Sequence, residues 1–306
     1  MKSNYHTPVL LQQCIEGLDI KPGGRYVDLT FGGGGHSRAI LEKLGPKGRL
    51  IVFDQDEDAW ENRIDDKRLE FVRNNFRFLY HFAKYLDAIP VDGILADLGV
   101  SSHHFDSADR GFSFRYEGAL DMRMNQNSGQ TAADLLNTAD ERRLVQIFRT
   151  YGEISSAHKL VAEILKFRSE KPFTLTSELK ELASKFAPRK DAARFMGQVF
   201  QALRIEVNGE LDALREMLSS TVEVLKPGGR LVVMSYHSLE DRLVKNFLRS
   251  GDVEKSQVET DVYGHSNLPF DLLTRKVIVP TEAEIELNPR ARSAKLRIGQ
   301  RNNNDV

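Results

Sequence analysis

The amino-acid sequence predicts an α/β protein with a mostly parallel sheet that is interrupted by an all-helical insert. Short apolar strands alternate with helical patterns in the first hundred residues, and a buried strand pattern returns near residue 226. This alternation is typical of a parallel sheet flanked by helices. Between residues 104 and 189, helical patterns follow one another without strands. We therefore predict a discontinuous Rossmann-like domain (residues 1–103 and 190–306) and a helical domain (residues 104–189).

The composition is typical of a soluble globular protein, with 41% apolar and 28% charged residues. No run approaches the roughly 18 apolar residues of a membrane span, and the first residues lack an apolar signal core. We therefore expect a cytoplasmic protein. The single cysteine excludes an internal disulfide framework and a cysteine-rich zinc site, and no metal is predicted. Because the net charge of the protein is −1, a nucleic-acid partner would have to bind to local basic patches.

The periodicity of apolar residues predicts the individual elements. A first helix is expected over residues 7–18, capped by Thr7, and Thr138 with Glu141 forms a capping-box pattern inside the insert. The predicted strands are residues 24–28, 48–54, 69–76, 91–97, 226–235, 276–280 and 294–298.

Four consecutive glycines, beginning at Gly32, join the first strand to the next helix. Such a loop lets the backbone approach a ligand, because no Cβ is in the way. The spacing fits the dinucleotide fingerprint poorly, since Ser37 stands where a third glycine belongs, and no Gly-Lys-Ser/Thr follows as in a phosphate loop. S-adenosylmethionine suits this loop, because it has no phosphate to cradle. Asp28 at the end of the strand either attracts the cationic end of this cofactor or shapes the loop.

Three aspartates stand at the carboxyl ends of predicted strands: Asp28, Asp54 and Asp97. In open α/β sheets this edge is where ligands bind. Asp54 follows Gly32 by about 20 residues, the usual spacing for a carboxylate that accepts hydrogen bonds from a ribose. Phe76, at the end of the third predicted strand, either stacks on an adenine or belongs to the core.

A basic strip near the C-terminus contains no acidic residue between positions 288 and 301. It is either a solvated charged edge or a surface that contacts nucleic-acid phosphates. We consider four of its residues for RNA binding: Arg290, Arg292, Lys295 and Arg297.

Taken together, the sequence resembles the ribosomal RNA small subunit methyltransferase H family, also called MraW, over nearly its whole length. The motif Asp97-Leu-Gly-Val-Ser-Ser102 is one of several long matches. The others lie at residues 6–10, 28–37, 110–114, 120–124, 200–205, 238–242 and 288–293.

The resemblance implies an S-adenosylmethionine-dependent class I methyltransferase with a helical substrate-recognition insert. It also implies methylation of the exocyclic N4 of a cytidine in the decoding region of small-subunit ribosomal RNA, either free or in the assembled subunit. His104 stands where the family commonly has glutamine. Carried over by motif, the cofactor contacts are Gly34, Gly35, His36, Asp54, Phe76, Asp97 and His104.

A cytosine amino group is a weak nucleophile, because its lone pair is delocalised into the ring. A hydrogen-bond acceptor on its N–H would help, and we assign this role to Asp97 or to a backbone carbonyl of residues 97–100. Ser101 and Ser102 would orient the base. Methylation of cytosine C5 is excluded on chemical grounds, because it requires a thiolate and Cys14 has no supporting pattern around it.

Two other functions stay open at this stage. One is an NAD-dependent oxidoreductase built on the glycine loop and Asp54. The other is a ribosome assembly factor that binds cofactor and RNA without turnover. The oligomeric state, monomer or homodimer, is also open.

Overall fold

The computed structural model describes residues 8–99, 107–258, 268–274 and 276–303. The chain divides into two compact units, one of Met1–Gly99 with Leu211–Val306 and the other of Val100–Glu210. The sequence placed the second boundary at residue 190. The structure places it after Glu210, because the helix that follows Asp191 buries its apolar face, including Phe195 and Val199, in the core of the helical unit.

A seven-stranded sheet organises the first unit, in the order β3-β2-β1-β4-β5-β7-β6. The first five strands are parallel, and β7 runs antiparallel to both β5 and β6. This sheet confirms the predicted α/β class. The strands are β1 Arg25–Asp28, β2 Arg49–Asp54, β3 Leu69–Arg73, β4 Val91–Asp97, β5 Leu225–Ser235, β6 Phe270–Leu272 and β7 Lys295–Arg301.

Twelve α-helices lie in the described part of the chain, and no helix there is long and apolar enough to cross a membrane. Short 3₁₀ helices cover Phe76–Phe78, Ala108–Arg110 and Pro289–Ser293. The α-helices are α1 Leu11–Leu18, α2 Gly35–Lys43, α3 Glu57–Glu61, α4 Leu79–Tyr85, α5 Ala132–Thr138, α6 Glu141–Thr150, α7 Ala157–Glu170, α8 Thr176–Ser184, α9 Ala192–Asn208, α10 Glu210–Val224, α11 Ser238–Ser250 and α12 Glu282–Leu287.

Apolar runs explain the central strands. Residues 50–53 of β2 and 94–96 of β4 are buried without a break, as expected for strands that are covered by helices on both faces of the sheet. The helical unit has its own core, supplied mainly by α5 to α9 and also by residues of the connecting segments. Its buried residues include Phe148, Leu160, Phe173 and Phe200.

Two helix starts differ from the prediction. The first helix begins at Leu11, because Leu10 adopts a left-handed conformation with φ 50° that cannot continue a right-handed helix; Thr7 lies outside the described residues. The predicted capping box of Thr138 with Glu141 is wrong. Asp140 caps α6 by accepting a hydrogen bond from Arg143 N at 2.7 Å.

Two strands also differ. Strand β3 ends at Arg73, and the last predicted residue, Phe76, begins a 3₁₀ helix instead. The predicted strand at residues 276–280 is wrong, because only Ile278 bridges to Leu296. Strand β6 pairs with β7 instead and forms the edge of the sheet. It lies in a polar stretch for which the sequence predicted no structure.

Candidate active site

Three predicted aspartates meet at one edge of the sheet. Strand β1 lies between β2 and β4, with Asp28 in register with Val52 on one side and Leu95 on the other. The carboxyl ends of these parallel strands therefore bring Asp28, Asp54 and Asp97 to the same edge. This is the position where open α/β sheets bind ligands.

The glycine loop turns sharply at this edge. Gly32 and Gly34 have φ values of 50° and 74°, which favour glycine. A Cβ on Gly34 would lie 2.8 Å from the ring of Phe31, and one on Gly35 would lie 2.2 Å from Pro8 Cγ. A Cβ on Gly32 would meet nothing within 4 Å. The loop is thus packed on its inner side and open beside Gly32, where the backbone is accessible to a ligand.

Asp28 is almost fully buried, with 1% of its surface exposed. Its carboxylate accepts hydrogen bonds from Ser37 Oγ at 2.6 Å and from Thr30 N at 3.1 Å. Burial raises the pKa of Asp28, and the nearby His36 opposes that shift. Because its partners belong to the loop and the helix that follows, Asp28 shapes the loop, which is one of the two roles considered from the sequence.

Asp54 ties the loop to β2. One carboxylate oxygen accepts a hydrogen bond from Gly32 N at 2.8 Å, and the other accepts one from Asp56 N at 2.9 Å. Asn62 Nδ2 donates to the carbonyl oxygen of Gly32 at 3.3 Å. The Asp54 carboxylate is half-buried at the edge where the strands end, and a carboxylate oxygen can accept more than one hydrogen bond.

Asp97, at the end of β4, is held on several sides and keeps 21% of its side chain exposed. Its main-chain N–H donates to Thr30 Oγ1 at 2.7 Å, while its carboxylate accepts from Gly99 N at 3.3 Å and from the Tyr236 hydroxyl. Burial raises the pKa of Asp97, against the opposing effects of His36 and of the Tyr236 hydrogen bond. The result is an oriented carboxylate that holds a proton more readily than an ordinary aspartate.

His36 lies behind Asp97 with only 6% of its surface exposed. Its Nε2 is 3.2 Å from the carbonyl oxygen of Val9, and its Nδ1 is 3.8 Å from a carboxylate oxygen of Asp97. The imidazole thus links the segment before α1 to the end of β4, and little of the ring is left to contact a ligand.

Phe76 begins the 3₁₀ helix after β3 and is half-buried. The preceding Asn75 accepts a hydrogen bond from Arg77 N at 2.9 Å and donates one from Nδ2 to Gln55 Oε1 at 2.8 Å. Gln55 directly follows Asp54, so the ends of β2 and β3 are joined by side chains. Phe76 is therefore placed next to the strand that carries the candidate ribose acceptor.

Comparison with known proteins identifies the family. Residues 3–302 match the MraW methylase family. This chain belongs to that family. Its relatives named ribosomal RNA small subunit methyltransferase H include those of Bacteroides thetaiotaomicron (56% identity over 97% of both chains), Parabacteroides distasonis (55% over 98% of both chains) and Flavobacterium johnsoniae (50% over 97% of this chain and 98% of the relative).

Membership of the MraW methylase family confirms the resemblance seen in the sequence and the class I methyltransferase fold. S-adenosylmethionine is the cofactor. The NAD-dependent oxidoreductase considered from the sequence is thereby set aside.

Sequence reasoning missed Tyr236 in this MraW methylase. The residue directly follows β5, and its ring packs so closely on Gly99 that a Cβ there would lie 2.7 Å from Tyr236 Cε2. Burial raises the pKa of Tyr236 well above its ordinary value, so the hydroxyl stays protonated and donates to Asp97. The rule that ligands bind at the carboxyl ends of parallel strands also applies to the end of β5, but Tyr236 has no carboxylate to draw attention to it.

Three of the predicted site residues, Ser101, Ser102 and His104, lie outside the described residues. Arg290 and Arg292 are exposed in the 3₁₀ helix before β7.

The remaining two residues of the predicted basic strip share an acidic partner. Asp241 of α11 accepts a hydrogen bond from Arg297 Nε at 2.7 Å and one from Lys295 Nζ at 3.3 Å. Burial alone would raise the pKa of Asp241, but these two cations outweigh it and lower the pKa. Two of the four residues considered for RNA binding therefore serve to hold α11 against β7.

Proposed function

We propose that this protein transfers the methyl group of S-adenosylmethionine to the exocyclic N4 of a cytidine in the decoding region of small-subunit ribosomal RNA. Relatives at 50–56% identity over nearly the full length carry the name ribosomal RNA small subunit methyltransferase H, which supports this class of substrate. The choice of cytidine N4 rests on the motif resemblance and on the chemistry of Asp97. The protein would bind this RNA in the cytoplasm, either as free RNA or in the assembled subunit.

The residues at the sheet edge fit the cofactor. The open space beside Gly32 allows close approach to the loop backbone. From the motif resemblance, we assign Gly34 and Gly35 of the same loop to the amino-acid end of the cofactor. Asp54 would accept hydrogen bonds from its ribose, and Phe76 would stack on its adenine. When bound, S-adenosylmethionine supplies an electrophilic methyl group.

The observation that carries the proposal is the oriented, partly exposed carboxylate of Asp97 at this edge. We infer that it accepts a hydrogen bond from the cytosine amino group, which localises the lone pair on nitrogen and gives the released proton a place to go. Tyr236 and the backbone of Gly99 hold the carboxylate in one orientation. Positioning of this kind supplies much of the rate in a direct transfer.

Cys14 argues against the covalent route to cytosine C5. It is the single cysteine of the chain, and its side chain is fully buried on α1. Burial, followed by the charges of Asp97 and Asp28, raises the pKa of the thiol well above its ordinary value. No thiolate is therefore offered for attack on the ring, and amine methylation, which needs none, is favoured.

Nucleoside mass spectrometry of small-subunit RNA tests the proposed reaction. N4-methylcytidine should be missing from cells that lack the protein and should return when the wild-type gene is supplied. An unchanged content in the deleted cells would falsify the proposal. In a second assay, labelled methyl transfer to free RNA and to assembled subunits, each lacking the modification, would identify the substrate form.

The same cells separate an enzyme from an assembly factor that binds without turnover. A protein carrying Asp97→Asn should leave the nucleoside unmethylated. If subunit assembly nevertheless depended on the presence of the protein and N4-methylcytidine never appeared with the wild type, the assembly-factor function would replace the enzymatic one.

A further inference from the structure

Helix α11 presents a purely basic face to solvent. Arg242, Lys245 and Arg249 are exposed and stand three and four residues apart, so they lie along one side of the helix. We call them the α11 basic face. The opposite side is buried in the α/β unit, through Leu239, Leu243, Val244 and Phe247.

The acidic residues of α11 do not neutralise this face. Glu240 is buried and accepts a hydrogen bond from Tyr236 N at 2.9 Å, and Asp241 is engaged by Lys295 and Arg297. Within the part of the chain that the structure describes, no hydrogen bond or ion pair involves the three cations of the basic face. Elsewhere on the same unit, exposed or half-buried arginines commonly have partners, as in the pairs Arg49–Glu70, Arg73–Glu57 and Arg77–Glu216.

The helix that carries the basic face begins beside the candidate active site. Helix α11 starts two residues after Tyr236, whose hydroxyl donates to Asp97. From Arg242 to Arg249 the row then extends about 10 Å along the helix, at 1.5 Å per residue. A nucleic-acid strand with one base at Asp97 could therefore place neighbouring phosphates along this row.

We propose that the α11 basic face binds the phosphate backbone of the ribosomal RNA substrate; the choice of ribosomal RNA rests on the proposed function. Three cations in a row that make no ion pair with any described residue complement a polyanion, and lysine and arginine are the usual contacts to phosphate oxygens. This assignment also changes the role of the predicted strip. Lys295 and Arg297 orient the helix through Asp241, and the α11 basic face offers the exposed charge.

The test compares two triple variants that remove equal charge. One carries Arg242→Gln, Lys245→Gln and Arg249→Gln in the basic face. The control carries Lys43→Gln, Lys47→Gln and Lys67→Gln, which are exposed on the same unit at the end of α2 and before the starts of β2 and β3. Binding of a labelled transcript of small-subunit ribosomal RNA is measured over a salt series.

The basic-face variant should bind the transcript about tenfold more weakly near physiological salt. The slope of log affinity against log salt should become shallower by about 2, since each single-strand phosphate contact contributes roughly 0.7. The control should behave like the wild type. Both variants should keep the wild-type melting temperature and affinity for S-adenosylmethionine, which shows that the fold and the cofactor site are intact.

Wild-type affinity and salt slope in the basic-face variant would overturn the proposal. Unchanged binding of the transcript together with lost binding of assembled subunits would also overturn it, and would assign the face to a ribosomal protein. Because the readout is binding, it is independent of the proposed reaction. If the wild type produced no N4-methylcytidine while the variant still lost RNA affinity, the reaction would fail and the RNA surface would stand.

Discussion

The ends of β1 and β4 carry the same residue type in the same topological position, yet the surroundings of the two carboxylates differ. Asp28 and Asp97 both lie near His36, and burial raises the pKa of both. Asp28 is enclosed by Ser37 and Thr30, and only 1% of its surface is exposed. Asp97, in contrast, keeps 21% of its side chain exposed. The enclosure of Asp28 suits a structural role, and the accessibility of Asp97 suits the acceptor role that we propose for it.

Among the substitutions that test this contrast, Asp97→Asn should have the largest effect, which is on the rate of methyl transfer. The substitution keeps the shape of the side chain but removes the proton acceptor, so methyl transfer at saturating cofactor should fall by about 100-fold or more. Single-turnover transfer of labelled methyl to unmodified small subunits measures the rate, and calorimetry measures cofactor binding. Full turnover with normal cofactor binding would show that Asp97 is not the acceptor.

Asp28→Asn should instead lower stability. Replacing the buried carboxylate weakens the charge-assisted hydrogen bond from Ser37, so the free energy of unfolding should decrease by about 1–3 kcal/mol. Turnover at saturating cofactor should stay near the wild-type value. Denaturant unfolding checks the first expectation, with Ser37→Ala as a matched control that removes the donor. A variant of wild-type stability that no longer turns over would make Asp28 reactive and abolish the contrast.

Tyr236→Phe should give the smallest effect, a shift in pH dependence. The hydroxyl hydrogen bond lowers the pKa of Asp97, so its loss should raise that pKa. Because the carboxylate is the reactive form, the acid limb of the pH–rate profile should move to higher pH, by less than about one unit. The ring, which packs on Gly99, is retained. A pH–rate profile identical to that of the wild type would assign Tyr236 a packing role only.

Much of the fold could be predicted from local pattern. The strands that carry the site were located within a few residues, and β4 was predicted over its observed range, Val91–Asp97. These strands are continuous apolar runs that end in a polar residue, a signal that needs no knowledge of distant contacts. Prediction failed where the apolar signal is weak, as at β6, whose strand depends on pairing with β7.

The sequence by itself determined the α/β class, the glycine loop, the family motifs and the edge at which three aspartates meet. Each of these depends on residues that are close together in the chain, or follows from the parallel order of the strands. Only the tertiary structure decided which of those aspartates is enclosed, that Tyr236 supports Asp97, and that Asp241 occupies Lys295 and Arg297. These outcomes depend on residues that lie far apart in the chain and meet only after the sheet forms. Burial and partners, which set the role of each charged group, arise at that stage.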